Sequence, residues 1–184
     1  MVREILIWPD PRLKEKAKPV EKVTEETRRL IADMFETMYD AHGVGLAAPQ
    51  IGVLERILVV DTSPRQDDAR PMVFINPVIV KAEGSTTYEE GCLSIPGEAE
   101  EMERYAKITV RALDESGEEF TCQAEGLLSI ALQHEMDHLD GMLFVDYLST
   151  LKRELIRKRM KKVIAERAEG GTPKKKKREQ TARA

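Results

Sequence analysis

Residues 134–138 read His134-Glu135-Met136-Asp137-His138. On a helix this spacing stacks the two imidazoles on one face, close enough to share an ion, with Glu135 about 100° round the axis. Such a pair of rings holds a divalent cation, and the adjacent carboxylate can serve as general base in metal-assisted hydrolysis. The plainer alternative is two structural histidines in a core helix, which obliges each buried ring to find polar partners. The chain has only three histidines, and two of them make this pattern. The third, His42, falls at a helix end and is expected to be exposed.

A third ligand can be sought on either side. Downstream, Gly141 fits the metzincin pattern, but its last ligand position holds Phe144, which cannot bind a metal. Glu154 stands where a thermolysin-like zinc peptidase would draw a Glu, yet it lies among Lys and Arg on what reads as a solvated helix. Upstream, Glu89-Glu90-Gly91-Cys92-Leu93-Ser94-Ile95-Pro96 reads as a loop that presents the Cys92 thiolate. Cys122 offers a competing closed Cys2His2 zinc site. However, it falls in an alternating strand where a small apolar side chain is ordinary, and Glu135 would then have no role. The open site of Cys92, His134 and His138 is therefore favoured. One thiolate with two imidazoles suits Zn2+, Fe2+, Co2+ or Ni2+.

The elements that must position these groups follow from periodicity. Thr24 reads as the N-cap of a first helix, with Leu30, Ile31, Met34, Phe35 and Met38 on its apolar face and Gly43 ending it. The small-residued stretch Gly43-Val44-Gly45-Leu46-Ala47-Ala48-Pro49-Gln50-Ile51-Gly52 is a loop or extended segment. Strands are expected at 56–61, 72–80, 107–113 and 120–124, the last two joined by a hairpin turn at Glu115-Ser116-Gly117. Residues 127–139 form a helix apolar on most sides, hence central and covered by sheet. A third helix runs from about 150 to 168. Strands mixed with a few long helices, without βαβ alternation, give an α+β fold. Residues 1–168 are expected to make one catalytic domain, and 169–184 a basic disordered tail.

Composition narrows the class without naming it. The 184 residues are 41% hydrophobic and 34% charged, ordinary values for a globular protein. No apolar run reaches the roughly 20 residues of a membrane span, and the N-terminus lacks a signal or transit pattern, so a cytoplasmic location is expected. Two cysteines make a disulfide framework implausible. The net charge of −4 conceals an acidic body and a basic end: residues 152–184 hold 14 Lys+Arg against 4 Asp+Glu. Such an end faces a polyanion or is merely a solvated helix and tail.

Three blocks stand in order: Gly43-Val44-Gly45-Leu46-Ala47-Ala48-Pro49-Gln50, then Glu90-Gly91-Cys92-Leu93-Ser94, then Gln133-His134-Glu135-Met136-Asp137-His138-Leu139-Asp140-Gly141. Together they resemble the peptide deformylase family over roughly residues 1–165, including the Leu143-Phe144-Val145-Asp146-Tyr147-Leu148 stretch. The resemblance implies removal of the formyl group from the formyl-methionine of nascent chains, and a metal helix packed on antiparallel sheets. It implies Cys92, His134 and His138 as ligands of one divalent ion, Fe2+ being favoured, with water in the fourth position. A bound cation lowers the pKa of water from about 15.7 toward about 7. Glu135 would take the proton of the attacking water and hand it to the departing amine. Gln50 and the Leu93 backbone N–H would stabilise the oxyanion. Val44, Leu127, Ile130 and Ala131, with Tyr88, Glu90 and Gly91 nearby, are the expected substrate-binding residues, and Gly45 would let a peptide backbone approach. Asp137 is either a partner of the ligands or an ordinary ion pair. The basic C-terminal helix and tail would dock the enzyme on the ribosome near the exit tunnel. One stretch departs from the family pattern. Residues 97–104, Gly97-Glu98-Ala99-Glu100-Glu101-Met102-Glu103-Arg104, are acidic where family members often carry a basic residue, so a tolerance for basic residues after formyl-methionine is expected. A reading from another class is a non-catalytic ribosome- or RNA-binding module with a structural Cys2His2 zinc.

Overall fold

The computed structural model describes residues 1–63 and 69–170. Residues 171–184 of the expected basic tail at 169–184 lie outside them, as does part of the polar loop after residue 63. Among the described residues no helix is long and apolar enough to cross a membrane.

The first helix, α1 (Glu25–Asp40), starts where the sequence places it. Thr24 caps it, accepting from the Thr27 N–H while the Thr27 hydroxyl accepts from the Thr24 N–H. Its stripe buries Ile31, Met34 and Met38, about 1.5–3 kcal/mol for each large side chain. The small-residued stretch is a short strand, β1 (Gly45–Ala47), followed by a 3-10 turn at Ala48–Ile51. Then come β2 (Ile57–Val60), β3 (Met72–Glu83), β4 (Thr86–Cys92), β5 (Ile95–Arg104), β6 (Lys107–Leu113), β7 (Glu119–Glu125), α2 (Gly126–Leu139) and α3 (Thr150–Ala168).

Five strands form an antiparallel sheet in the order β1-β2-β3-β6-β7, and β4 with β5 forms a separate two-stranded sheet. The period-2 alternation of β2 shows why the sheet is covered on both sides. Leu58 and Val60 pack with Leu132 and Leu139 of α2, whereas Ile57 and Val59 pack with Ile31, Met34 and Met38 of α1. A third cluster joins α3, through Ile156 and Met160, to Ile7, Trp8, β5 and Phe144. The architecture is α+β, as the sequence indicates. Helix α2 is ended by Gly141, whose φ of +73° closes a reversal in which the Met142 N–H donates to the Asp137 carbonyl. A side chain there would strike the Lys14 carbonyl oxygen.

The β4–β5 hairpin is the main difference from the sequence reading, which takes residues 89–96 as a loop and 97–104 as an acidic stretch. On β5, Glu98 pairs with Arg159 and Glu100 with Lys152, both on α3. These ion pairs neutralise carboxylates that would otherwise disfavour a packed strand. They also remove two of the acidic charges on which the expected tolerance for basic substrates rests.

Candidate metal centre

Helix α2 and the end of β4 bring the chemistry together. His134 and His138 stand one turn apart, ring centroids 5.1 Å apart at 74°. Cys92, the last residue of β4, places its Sγ 3.3 Å from His138 Nε2. One ligating atom from each of the three residues lies within 4.8 Å of the others, the only such group of three among the described residues. Cys122 instead packs among the apolar side chains between α2 and the five-stranded sheet. Glu154 is exposed on α3, paired with Arg157.

Of the two rings, His134 is oriented from behind, whereas the His138 Nδ1 is buried with no hydrogen-bond partner among the described residues. His134 Nδ1 lies 2.8 Å from Glu90 Oε1, leaving Nε2 to face inward. Glu90 also accepts two hydrogen bonds from Arg104, at 2.7 and 2.9 Å, a bidentate pair that is almost wholly buried. Arg104 reaches on to Asp137 at 2.7 Å, and the Tyr147 hydroxyl donates to the same oxygen at 3.1 Å. Asp137 therefore belongs to this network. Burial pushes the Glu90 carboxyl up, but the Arg104 and His134 hydrogen bonds outweigh it and pull it down to about 2. For His134, burial opposes protonation, yet its bonds to Cys92 and Glu90 raise it well above the ordinary value. His138 is driven well below by burial and by the neighbouring His134.

Beside these three side chains stands Glu135, 5% exposed, with a buried Oε2 that has no hydrogen-bond partner among the described residues. Burial pushes its carboxyl up to about 7. Gly45 makes room for it: a Cβ on Gly45 would sit 2.6 Å from Glu135 Oε1. Gln50 is held by both ends of its amide. Its Oε1 accepts from the Ala47 N–H at 2.9 Å, which fixes the amide orientation, and its Nε2 donates to Ser94 Oγ at 3.1 Å. The same Nε2 lies 3.7 Å from Cys92 Sγ, so its second hydrogen faces the site. Leu93 occupies the turn between β4 and β5. A thiol, two inward-facing imidazoles and an unpartnered carboxylate beside them are a donor set that fits a divalent cation and an attacking water.

The remaining expected substrate-binding residues divide. Val44, Leu127 and Ile130 belong to none of the hydrophobic clusters of the described residues. Leu127, Ile130 and the candidate ligand His134 recur at three- and four-residue spacing along α2. Ala131, by contrast, packs into the core between α2 and the sheet. Tyr88 is 44% exposed, on the face of β4 that carries Glu90 and Cys92, and Gly91 lies exposed on the opposite face. Glu90 has both oxygens engaged within the protein. His42 is exposed, as expected. Sequence reasoning missed Arg104, Ser94 and Tyr147 as supports of the site. The available signal was Glu90 itself: a carboxylate two residues before the candidate ligand Cys92, once buried, needs a cation within reach.

Fold and site together define a class, the metal-centred hydrolases in which a helix and a neighbouring strand supply the ligands. The polypeptide deformylase family model matches residues 2–154. Curated peptide deformylases share this sequence closely. The one from Alkalilimnicola ehrlichii is 53% identical, covering 89% of this chain and 91% of its own. That of Neisseria meningitidis is 55% identical over 86% of this chain and 93% of its own. Among solved structures, the Legionella pneumophila peptide deformylase superposes with a TM-score of 0.86 at 48% identity, covering 94% of this chain and all of that one. The Ehrlichia chaffeensis enzyme, solved in complex with actinonin, gives 0.84 at 41%, covering 88% and 97%. The chain belongs to the polypeptide deformylase family and is a hydrolase.

Proposed function

We propose that this protein removes the N-formyl group from the formyl-methionine of newly made polypeptides, with residues 1–168 as one catalytic unit. The observation that carries this reading is the convergence of Cys92, His134 and His138 on a point flanked by the unpartnered Glu135 carboxylate and the Gln50 amide. These three residues would hold a divalent cation, which would supply Lewis acidity and lower the pKa of an attacking water toward neutrality. Glu135 takes the proton from the attacking water and passes it to the departing amine, and a carboxyl raised to about 7 is matched to both transfers. The second Gln50 amide hydrogen and the Leu93 N–H receive the oxyanion, and because Ala47 and Ser94 hold Gln50 in place, little reorganisation is needed.

Val44, Leu127 and Ile130 line the pocket for the methionine side chain, with Ala131 behind them. Among the described residues strand β1 pairs only with β2, an edge position that suits an extended peptide beside Gly45. Fe2+ is the proposed ion in the cell, with Zn2+, Ni2+ and Co2+ as substitutes, and the cytoplasm the proposed location. On α3, Lys158, Lys161 and Lys162 are exposed, a surface suited to ribosomal RNA near the exit tunnel.

The test is anaerobic purification with metal analysis, coupled to formate release from formyl-Met-Ala. Stoichiometric metal that is lost with Cys92→Ala and kept with Cys122→Ser, together with formate release, is the expected result. Absence of formate release from metal-loaded protein would refute the reading. A chain ending at Leu151 that stays folded should bind ribosomes more weakly, and equal binding removes α3 as the anchor.

A further inference from the structure

The two proposed oxyanion donors come from different sheets. Gln50 follows β1 of the five-stranded sheet, whereas Leu93 lies in the turn of the β4–β5 hairpin. Their separation must be fixed to a fraction of an ångström if both are to meet one oxygen. The Gln50–Ser94 side-chain hydrogen bond supplies one link.

Residues 5–8 supply a second link made of backbone. The Leu6 N–H donates to the Gln50 carbonyl at 2.8 Å, and two residues on the Trp8 N–H donates to the Ser94 carbonyl at 2.9 Å. The segment thus acts as a strap whose alternate N–H groups grip the two donor-bearing turns, one each. The strap is itself anchored. Ile7 and Trp8 are 6% and 3% exposed, packed with Ile95, Met102 and Phe144. The Arg157 guanidinium lies over the Trp8 ring at 4.8 Å. The strap touches neither the ligands nor the proton-transfer carboxylate through any of these hydrogen bonds.

We propose that the Leu6 and Trp8 N–H groups are positioning groups for the reaction: they set the distance between the Gln50 amide and the Leu93 N–H. This rests on the reading of Gln50 and Leu93 as oxyanion donors. Loosening either grip lets one donor drift, so the defect falls on the transition state and not on ground-state binding.

The experiment removes single N–H groups while keeping every side chain. The α-hydroxy acid analogues of leucine and tryptophan are introduced at positions 6 and 8 by nonsense suppression, replacing each amide with an ester. The same exchange at Ile7, whose N–H has no partner among the described residues, is the control. Each metal-loaded protein is assayed for kcat and KM on a formyl-Met peptide, for metal content and for thermal stability, alone and combined with Gln50→Ala. The esters at 6 and 8 should each lower kcat about tenfold, less than the 10²–10³ of deleting a donor outright. KM should stay within about twofold, with metal content unchanged and the Ile7 ester near wild type. In the Gln50→Ala background the position 6 ester should lose most of its effect, because the donor it aims is gone.

Esters at 6 and 8 that behave like the one at 7 overturn the proposal. So does a position 6 defect that multiplies undiminished with Gln50→Ala, or one that tracks loss of melting temperature in all three esters. A Gln50→Ala protein with wild-type kcat would instead strike the donor assignment beneath it, and the strap's purpose with it.

Discussion

Gly45→Ala isolates the placement of Glu135 from everything else in the site. Gly45 is the first residue of a buried strand and has no positive φ, so alanine is acceptable to its backbone and reduces the freedom of the unfolded chain. The obstacle is the carboxylate: the new methyl would lie 2.6 Å from Glu135 Oε1, 2.9 Å from Cγ and 3.0 Å from Cδ. To reach an ordinary contact of about 3.4 Å, Oε1 must retreat by about 0.8 Å, a displacement of the size that costs on the order of 10²-fold when a reacting group is misplaced. Because Glu135 is buried on the central helix, rotation of its side chain is the cheaper adjustment, and β1 and α2 stay where they are. We expect kcat to fall about 30- to 100-fold, with KM within about threefold and unchanged metal content. The melting temperature should move by only a few degrees, about 1–3 kcal/mol of overpacking set against the backbone gain. A continuous formate assay under anaerobic conditions, with metal analysis and thermal melts, measures all four quantities. A kcat within twofold of wild type would refute the claim that Gly45 sets the base. A loss of metal in parallel with activity would show that the strain falls on the ligands instead.

Arg104→Leu leaves Glu90 buried beside His134 without its guanidinium partner, a loss of about 3–5 kcal/mol. Metal affinity should also weaken about 10- to 100-fold as His134 loses its fixed support, which competition with a chelator reads out. Glu90 is held near 2 in the folded protein, below its ordinary 4.5. Its contribution is therefore complete above about pH 4.5 and lost as the pH falls toward 2, so the variant's melting deficit should shrink over that window. Glu135 must be ionised to accept a proton, and a bound cation favours the carboxylate, so kcat/KM should rise with pH and level off at or below about 7. Glu135→Gln should abolish turnover, and an activity limb above pH 8 would contradict the assignment. With Glu98 and Glu100 paired to α3, matched Lys- and Glu-containing formyl peptides should differ less than about threefold in kcat/KM at physiological salt. A larger preference for Lys would restore the influence of the exposed Glu101 and Glu103.

What was legible in the sequence was what local periodicity encodes. The four-residue step from His134 to His138 fixes their shared face once residues 127–139 are a helix, and Thr24 and Gly141 mark helix ends by rules that act within one turn. Cys92 could be singled out because its neighbours could not bury it in an ordinary way. The β4–β5 hairpin escaped because its strand signal is masked by charge: Glu98 and Glu100 look solvated until α3, over fifty residues away, brings Lys152 and Arg159 to them. Arg104 escaped for the same reason. Its link to Glu90 depends on the register Thr86↔Arg104, which brings the far end of β5 back beside β4, and no short-range pattern states that pairing.

The missed hairpin also explains why the site is one object and not two. The histidines belong to a helix seated on the five-stranded sheet, while the thiol belongs to the separate β4–β5 sheet, so the candidate ligand set exists only when the two sheets are docked. None of the hydrophobic clusters of the described residues contains side chains of both α2 and the β4–β5 hairpin. The join there is largely polar: Glu90 to His134, Arg104 to both Glu90 and Asp137, and Gln50 to Ser94. A polar join is directional where an apolar one is not, and each of these bonds ends on a ligand, on a neighbour of a ligand or on a proposed donor. An apolar replacement of similar volume at Arg104 and Glu90 together could preserve stability, as buried ion pairs often allow, but it would leave His134 free to turn about its own axis. The energetic case for keeping these charges therefore lies in the geometry of the site and not in the stability of the fold.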